Sequence, residues 1–220
     1  MSIDAEMFRQ GMTTEEYISQ IKVNKQVFLD IYAGVETPAE DTAFFQSLDG
    51  ALNLVAFTAD WCGDHLTSSP AILRLAETTD RLEARVFDSD RHKELTNSFL
   101  PKYRWNTVPV FVVFDAQMRE VCRFIETAGE LVPELDAMEE AVATQNAQPQ
   151  DQGKPMNEMS EQSRTAIRGS RTVTRVAKAR EWGAVVTHGF TNTVKEGLAL
   201  SPGDRPAVGG TQWPAPVEQT

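Results

Sequence analysis

Apolar positions along the chain change rhythm several times, and each change marks an element. Between Thr13 and Gly34, Tyr17, Ile21, Phe28 and Ile31/Tyr32 recur at helical spacing, which predicts a helix with one apolar face. Thr13 and Glu16 have the Thr-x-x-Glu spacing of a capping box and mark its start, and Gly34 marks its end. Phe44, Phe45 and Leu48 predict a short second helix before the turn dipeptide Asp49-Gly50. The rhythm then becomes an unbroken apolar run over residues 54–57, which predicts a buried strand over 52–57. Leu66, Ile72, Leu73 and Leu75 predict a helix that runs to about Thr79 and bends at Pro70, where an N–H is missing. Leu82, Ala84 and Val86 alternate as in a strand, and residues 92–102 return to a helical rhythm through Leu95 and Phe99. Strand, helix, strand, helix in this order predicts parallel pairing through a crossover.

Two further strands, over residues 110–114 and 120–125, flank a hairpin turn at residues 115–119, and the second is expected to be the last. A closing helix follows, with Leu131, Leu135, Met138 and Val142 on one face and Glu130, Glu134, Glu139 and Glu140 on the rest. From Thr144 the composition shifts. Residues 144–156 are rich in Gln, Asn, Pro and Gly and are expected to be a linker. Residues 157–200 are expected to be a helical segment, in which Gly183 ends a first helix. In it Arg164, Arg168, Arg171, Arg175 and Lys178 form a basic stripe. That stripe is a nucleic-acid or lipid surface on one reading. On the blander one it is a solvated face, or a clamp against the acidic closing helix. Residues 201–220, with their prolines and glycines, are expected to be disordered. The organisation predicted is thus a helical extension (1–49), an α/β domain (50–143), a linker, a helical segment and a tail.

Candidate chemistry gathers where the first strand meets its helix, at Trp61-Cys62-Gly63-Asp64-His65. A cysteine between a strand and a helix N-terminus faces unpaired N–H groups and the positive end of the helix dipole, and both favour thiolate. His65 is expected one turn on, on the same face; protonated, its imidazole would lower the thiol pKa further, whereas the Asp64 carboxylate opposes that shift. Pro109 directly precedes the strand at residues 110–114.

This pattern resembles the thioredoxin active site, a buried strand followed by Trp-Cys-Gly-Pro-Cys and a helix with a proline partway along. Trp61, Cys62, Gly63 and Pro70 match. Asp64 stands in place of the proline, His65 in place of the resolving cysteine, and Ala56 in place of a buried aspartate. Among the branches of that superfamily, the chain looks most like bacterial proteins with Trp-Cys-Gly-Asp-Xaa and a helical N-terminal extension, here carrying Glu16-Tyr17-Ile18 and Asn24-Lys25. The resemblance implies a thioredoxin-like α/β fold with a central mixed sheet, and a cis Val108–Pro109 bond facing Cys62. It implies a groove in which Trp61, Gly63, Asp64, Val108 and Pro109 meet an extended peptide.

Composition narrows the partners. The formal net charge of −11 argues against non-specific binding to nucleic acid or to an anionic membrane. No apolar run approaches a membrane span. The acidic, polar N-terminus does not read as a signal peptide, so a cytoplasmic location is the expectation. Cys62 and Cys122 are not a disulfide framework, and Cys122 is expected to be a small buried hydrophobe. No cofactor and no metal are expected: Cys-x-x-His is half a zinc pattern, and His92 and His188 stand isolated in the sequence.

The function that follows is monothiol thiol–disulfide exchange through Cys62 with His65 tuning the sulfur. Its partners would be protein or low-molecular-weight thiols and disulfides such as glutathione. The alternatives are a catalytically inactive peptide-docking groove and a structural remnant. The sequence names no substrate and no oligomeric state.

Overall fold

The apolar run and its alternating successor form the first two strands of a five-stranded mixed sheet, the second at its edge. The computed structural model describes residues 3–212. Strands β1 (Leu52–Thr58), β2 (Leu82–Asp88), β3 (Val110–Phe114), β4 (Glu120–Ile125) and β5 (Ala207–Gly210) lie in the order β2-β1-β3-β4-β5. β1 and β2 are parallel in the register Leu54↔Ala84, while β3 runs antiparallel to both β1 and β4. β1 and β3 are central and apolar on both faces: Leu54, Val55, Ala56 and Phe57 are fully buried, as are Val110, Phe111, Val112 and Val113. That double burial is why their sequences run apolar without alternation.

Helix α5 (Gly63–Glu77) connects β1 to β2 and carries Pro70 inside it. Helix α6 (Lys93–Ser98) follows β2, and a 3-10 turn, Lys102–Arg104, completes the segment expected to be one helix. Helix α7 (Val132–Asn146) buries Leu135, Met138 and Val142.

The N-terminal extension is helical but divided. Helix α1 (Ala5–Gln10), capped by Asp4, has no counterpart in the sequence-based expectation. The single helix expected from Thr13 to Gly34 is two, α2 (Thr14–Gln20) and α3 (Lys25–Gly34). The expected capping box is present, with Glu16 N–H donating to Thr13 and Thr13 N–H donating to the Glu16 carboxylate. The break falls at Asn24, whose φ of 59° lies in the left-handed region that asparagine tolerates. Asp60 holds the break open by accepting from the N–H groups of Lys22 and Val23. Helix α4 (Ala39–Gln46) completes the extension.

The C-terminal half departs most from expectation. Residues 144–156 are a mostly exposed connection pinned at Asp151 rather than a loose linker. Buried Asp151 accepts from Ser160 Oγ at 2.5 Å, from Ser163 Oγ at 2.7 Å and from Ser160 N–H at 3.0 Å, and these donors hold its carboxyl far below the usual range. Helix α8 (Glu161–Ala177) and helix α9 (Ala179–Ala199) then divide at Lys178, not at Gly183. Gly183 lies inside α9, where Val35 packs so closely that an added Cβ would come within 3.1 Å of it. The segment expected to be disordered contributes β5, which pairs in parallel with β4 and makes β5 the last strand. Residues 213–220 of that segment lie outside the described residues. Part of the basic stripe is a clamp on α7: Arg171 and Arg175 pair with Glu139, and Lys178 with Glu134 at 3.0 Å, while Arg164 and Arg168 pair with Glu161 on α8 itself.

Candidate functional site

Cys62 is the N-cap residue of α5, with extended backbone angles of φ −79° and ψ 137°. The sequence folds this way because β1 ends at Thr58 and the Ala59–Asp60–Trp61 turn closes on itself, Cys62 N–H donating to the Ala59 carbonyl at 3.1 Å. The sulfur is half-buried and faces the Val108–Pro109 bond, which is cis. It donates to the Val108 carbonyl at 3.3 Å. Burial pushes the thiol pKa up, and the Asp64 and Glu126 carboxylates push the same way. The backbone N–H groups of His65 and Asp64, at the helix N-terminus, oppose this without reversing it. The sequence sets the helix terminus against Asp64 and leaves the net direction open; in the structure burial and two carboxylates outweigh the helix terminus.

The expected role of the His65 ring is corrected. Its imidazole is fully buried in the core behind the sulfur. Nδ1 lies 2.7 Å from Thr58 Oγ1 and 3.0 Å from Ser69 Oγ, and Nε2 lies 3.2 Å from the Tyr17 hydroxyl. The ring stacks on Phe28 with 5.0 Å between centroids and 12° between planes. Burial drops its pKa to about 3, so the ring is neutral at physiological pH and has no charge to lend the sulfur. Only the backbone N–H of His65 acts on Cys62.

The other expected site residues divide. Trp61 is 55% exposed, and its indole Nε1 donates to Asp90 at 2.9 Å. It walls a cavity of about 180 Å³ that reaches Val108. On its other side a cleft of about 580 Å³ runs between Asn24 on the N-terminal extension, Gly63 and Asp64, and Arg168, Arg171 and Arg175 on α8. A side chain at Gly63 would press on the Arg175 guanidinium, 3.2 Å from where its Cβ would lie. Asp64 is partly buried, and its carboxyl pKa is raised by burial and by Glu126, with Arg175 opposing. Cys122 lies fully buried on β4 opposite Val113, and burial pushes its thiol pKa up strongly.

Glu126, which acts on the sulfur, and its partners Arg104 and Thr211 carry no signal in the sequence. Glu126 lies just past β4 and adds its charge to the site. Buried Arg104 donates to Glu126 at 2.7 Å and to the Thr211 carbonyl at 2.6 Å. Thr211, beyond β5, also donates to Glu126. A buried Arg paired with a carboxylate has no local sequence signature, since its partners lie 22 and 107 positions away. Arg175 was visible only as one member of the basic stripe.

No helix of the described residues is long and apolar enough to cross a membrane. No curated protein matches the chain. The overall shape is similar to a protein of unknown function, PA1234, from Pseudomonas aeruginosa. That likeness has a TM-score of 0.53 and 15% identity, and it covers 80% of this chain and 96% of that one. A mitochondrial thioredoxin 3 from Saccharomyces cerevisiae, in its oxidized form, aligns over 43% of this chain and 86% of its own, with 15% identity and a TM-score of 0.29. A family model described as thioredoxin matches residues 11–141, from the extension through the strand–cysteine–helix unit to α7. With the mixed sheet, the Trp61-Cys62-Gly63 turn at the start of α5 and Pro109 opposite the sulfur, that match means the chain belongs to the thioredoxin family.

Proposed function

We propose that the protein is a thiol-exchange protein of monothiol type. The observation that carries the reading is the placement of Cys62: a half-buried sulfur at a helix N-terminus, beside the Val108–Pro109 backbone, with the other cysteine sealed in the sheet. In the exchange, the Cys62 thiolate attacks one sulfur of a disulfide RS–SR. A Cys62–S–S–R bond forms, the RS–SR bond breaks, and RS⁻ leaves to take up the proton given off by Cys62. A second thiol, R′SH, attacks the sulfur of R, returns Cys62 to the thiol and leaves as R–S–S–R′. Its own proton goes to Cys62, so atoms and electrons balance.

The partners in this reading are protein or low-molecular-weight thiols of the glutathione class, in a reducing cytoplasm, with neither nucleic acid nor membrane involved. Arg168, Arg171 and Arg175 beside Gly63 suit the carboxylates such a thiol carries, although Glu139 already pairs with two of them. The reading includes the Trp-Cys-Gly-Asp-Xaa branch with its helical extension, to which α2, α3 and the Asn24 break lend support.

The test is mass spectrometry after incubation with glutathione disulfide. One glutathione adduct on Cys62, stable until a second thiol is added and missing from Cys62→Ser, supports the exchange. Absence of any adduct in the folded protein removes it. His65→Cys puts a second thiol one helical turn from the first, and disulfide-reductase activity in that variant would mark the groove as a competent reductase site. A second reading, a peptide-docking groove without turnover, is favoured by one observation: the thiol rests protonated on the Val108 carbonyl. It predicts that Cys62→Ser binds an extended peptide as tightly as the parent.

A further inference from the structure

We propose a divalent metal site between α4 and α9, formed by Glu40, Asp41 and His188. These elements supply none of the side chains around Cys62. Each of the three residues brings a ligand atom to within 4.8 Å of the other two. His188 Nδ1 lies 3.4 Å from Asp41 Oδ1 and 3.6 Å from Glu40 Oε1. Ligands held about 2.1 Å from a tetrahedral zinc ion stand about 3.4 Å apart, so both separations match edges of such a tetrahedron.

The second observation is Asp41 itself. Its side chain is fully buried, and neither carboxylate oxygen has a hydrogen-bond partner among the described residues. A buried carboxylate without donors is costly, and a cation removes that cost. The cluster is nonetheless reachable. Glu40 and His188 line a cavity of about 320 Å³ that also takes in Glu130, so a fourth ligand, carboxylate or water, has room to enter. Two carboxylates and a neutral imidazole carry two negative charges, which a divalent ion balances. An imidazole among oxygen donors suits zinc and its first-row neighbours better than magnesium or calcium.

The frame is rigid. Phe45, one turn beyond Asp41, stacks on Phe190, two residues from His188, with 6.3 Å between centroids and 17° between planes. α4 belongs to the N-terminal extension and α9 to the C-terminal addition, so the ion would tie the two additions together across the domain. His188, isolated in the sequence, gains its partners only when α9 packs on α4.

The test uses the full, untagged chain in a Cys62→Ser background, which removes the accessible thiolate. Zinc is titrated calorimetrically, and cobalt(II) by its visible absorption. The expected result is one ion per chain and a tetrahedral cobalt spectrum. His188→Ala and Glu40→Gln, both partly or largely exposed, should each weaken binding by more than about tenfold with unchanged circular dichroism. Absence of saturable one-to-one binding would overturn the site and leave a plain imidazolium–carboxylate pair. Binding that survives both substitutions would overturn it too, because the ion would then sit elsewhere.

Discussion

Cys62 and His65 stand one turn apart on the same helix, yet the protein treats them in opposite ways. Cys62 is half open, touches one carbonyl and lies under the influence of Asp64 and Glu126. His65 is closed off, stacked on Phe28 and bonded through both ring nitrogens to Tyr17, Thr58 and Ser69. Where the family's pattern has a second reactive sulfur, this chain has a piece of core. The difference arises from the N-terminal extension: Tyr17 and Phe28, from α2 and α3, cover the face of α5 that His65 occupies. One turn of helix thus separates an accessible sulfur from a side chain that holds the extension down.

The largest effect expected from breaking this contrast is on stability. His65→Ala removes a stacked ring and leaves Tyr17, Thr58 and Ser69 without their partner, and should cost about 3 kcal/mol in denaturant unfolding. Cys62→Ser should change stability by less than about 0.5 kcal/mol while removing all exchange. An effect of comparable size, spread over the acid range, comes from titration. The His65 pKa is about 3 folded against an ordinary 6.5. The unfolded chain therefore takes up a proton first, and stability falls as pH drops from about 6.5 towards 3, by roughly 1 kcal/mol per pH unit from this group. Above 6.5 the ring is neutral in both states and its contribution is complete. Unfolding curves for the parent and His65→Gln at several pH values isolate it, because the variant should show a shallower acid slope. The smallest effect is at the sulfur. Asp64→Asn removes a carboxylate that disfavours the thiolate, and alkylation of Cys62 at neutral pH should quicken by a few-fold.

Much of this fold is legible in the chain because its signals are local. The apolar runs of β1 and β3, the capping box at Thr13 and the Trp61-Cys62-Gly63 turn each state their structure within a few residues. What is not legible depends on distant partners. β5 has only four residues, Ala207–Gly210, and its glycines suggest disorder until β4 supplies the other half of the ladder. Gly210 takes a φ of +88° there, against the backbone of Ile125, which is why glycine occupies that place. The linker reading of residues 144–156 fails for the same reason: Asp151 finds its donors on Ser160 and Ser163, beyond the segment. The position of Cys62 is local and could be read. Its electrostatics could not, because Glu126, Arg104 and Thr211 come from three separate segments.

Cys62 is thus a resting thiol whose reactivity owes nothing to the His65 ring. The most direct measurement is the pH dependence of its alkylation rate in a Cys122→Ala background, with and without His65→Gln. The account predicts a midpoint above the ordinary cysteine value of about 8.5 in both proteins. A midpoint well below that value in the parent, which His65→Gln moves upward, would contradict it and restore an imidazole-activated thiolate.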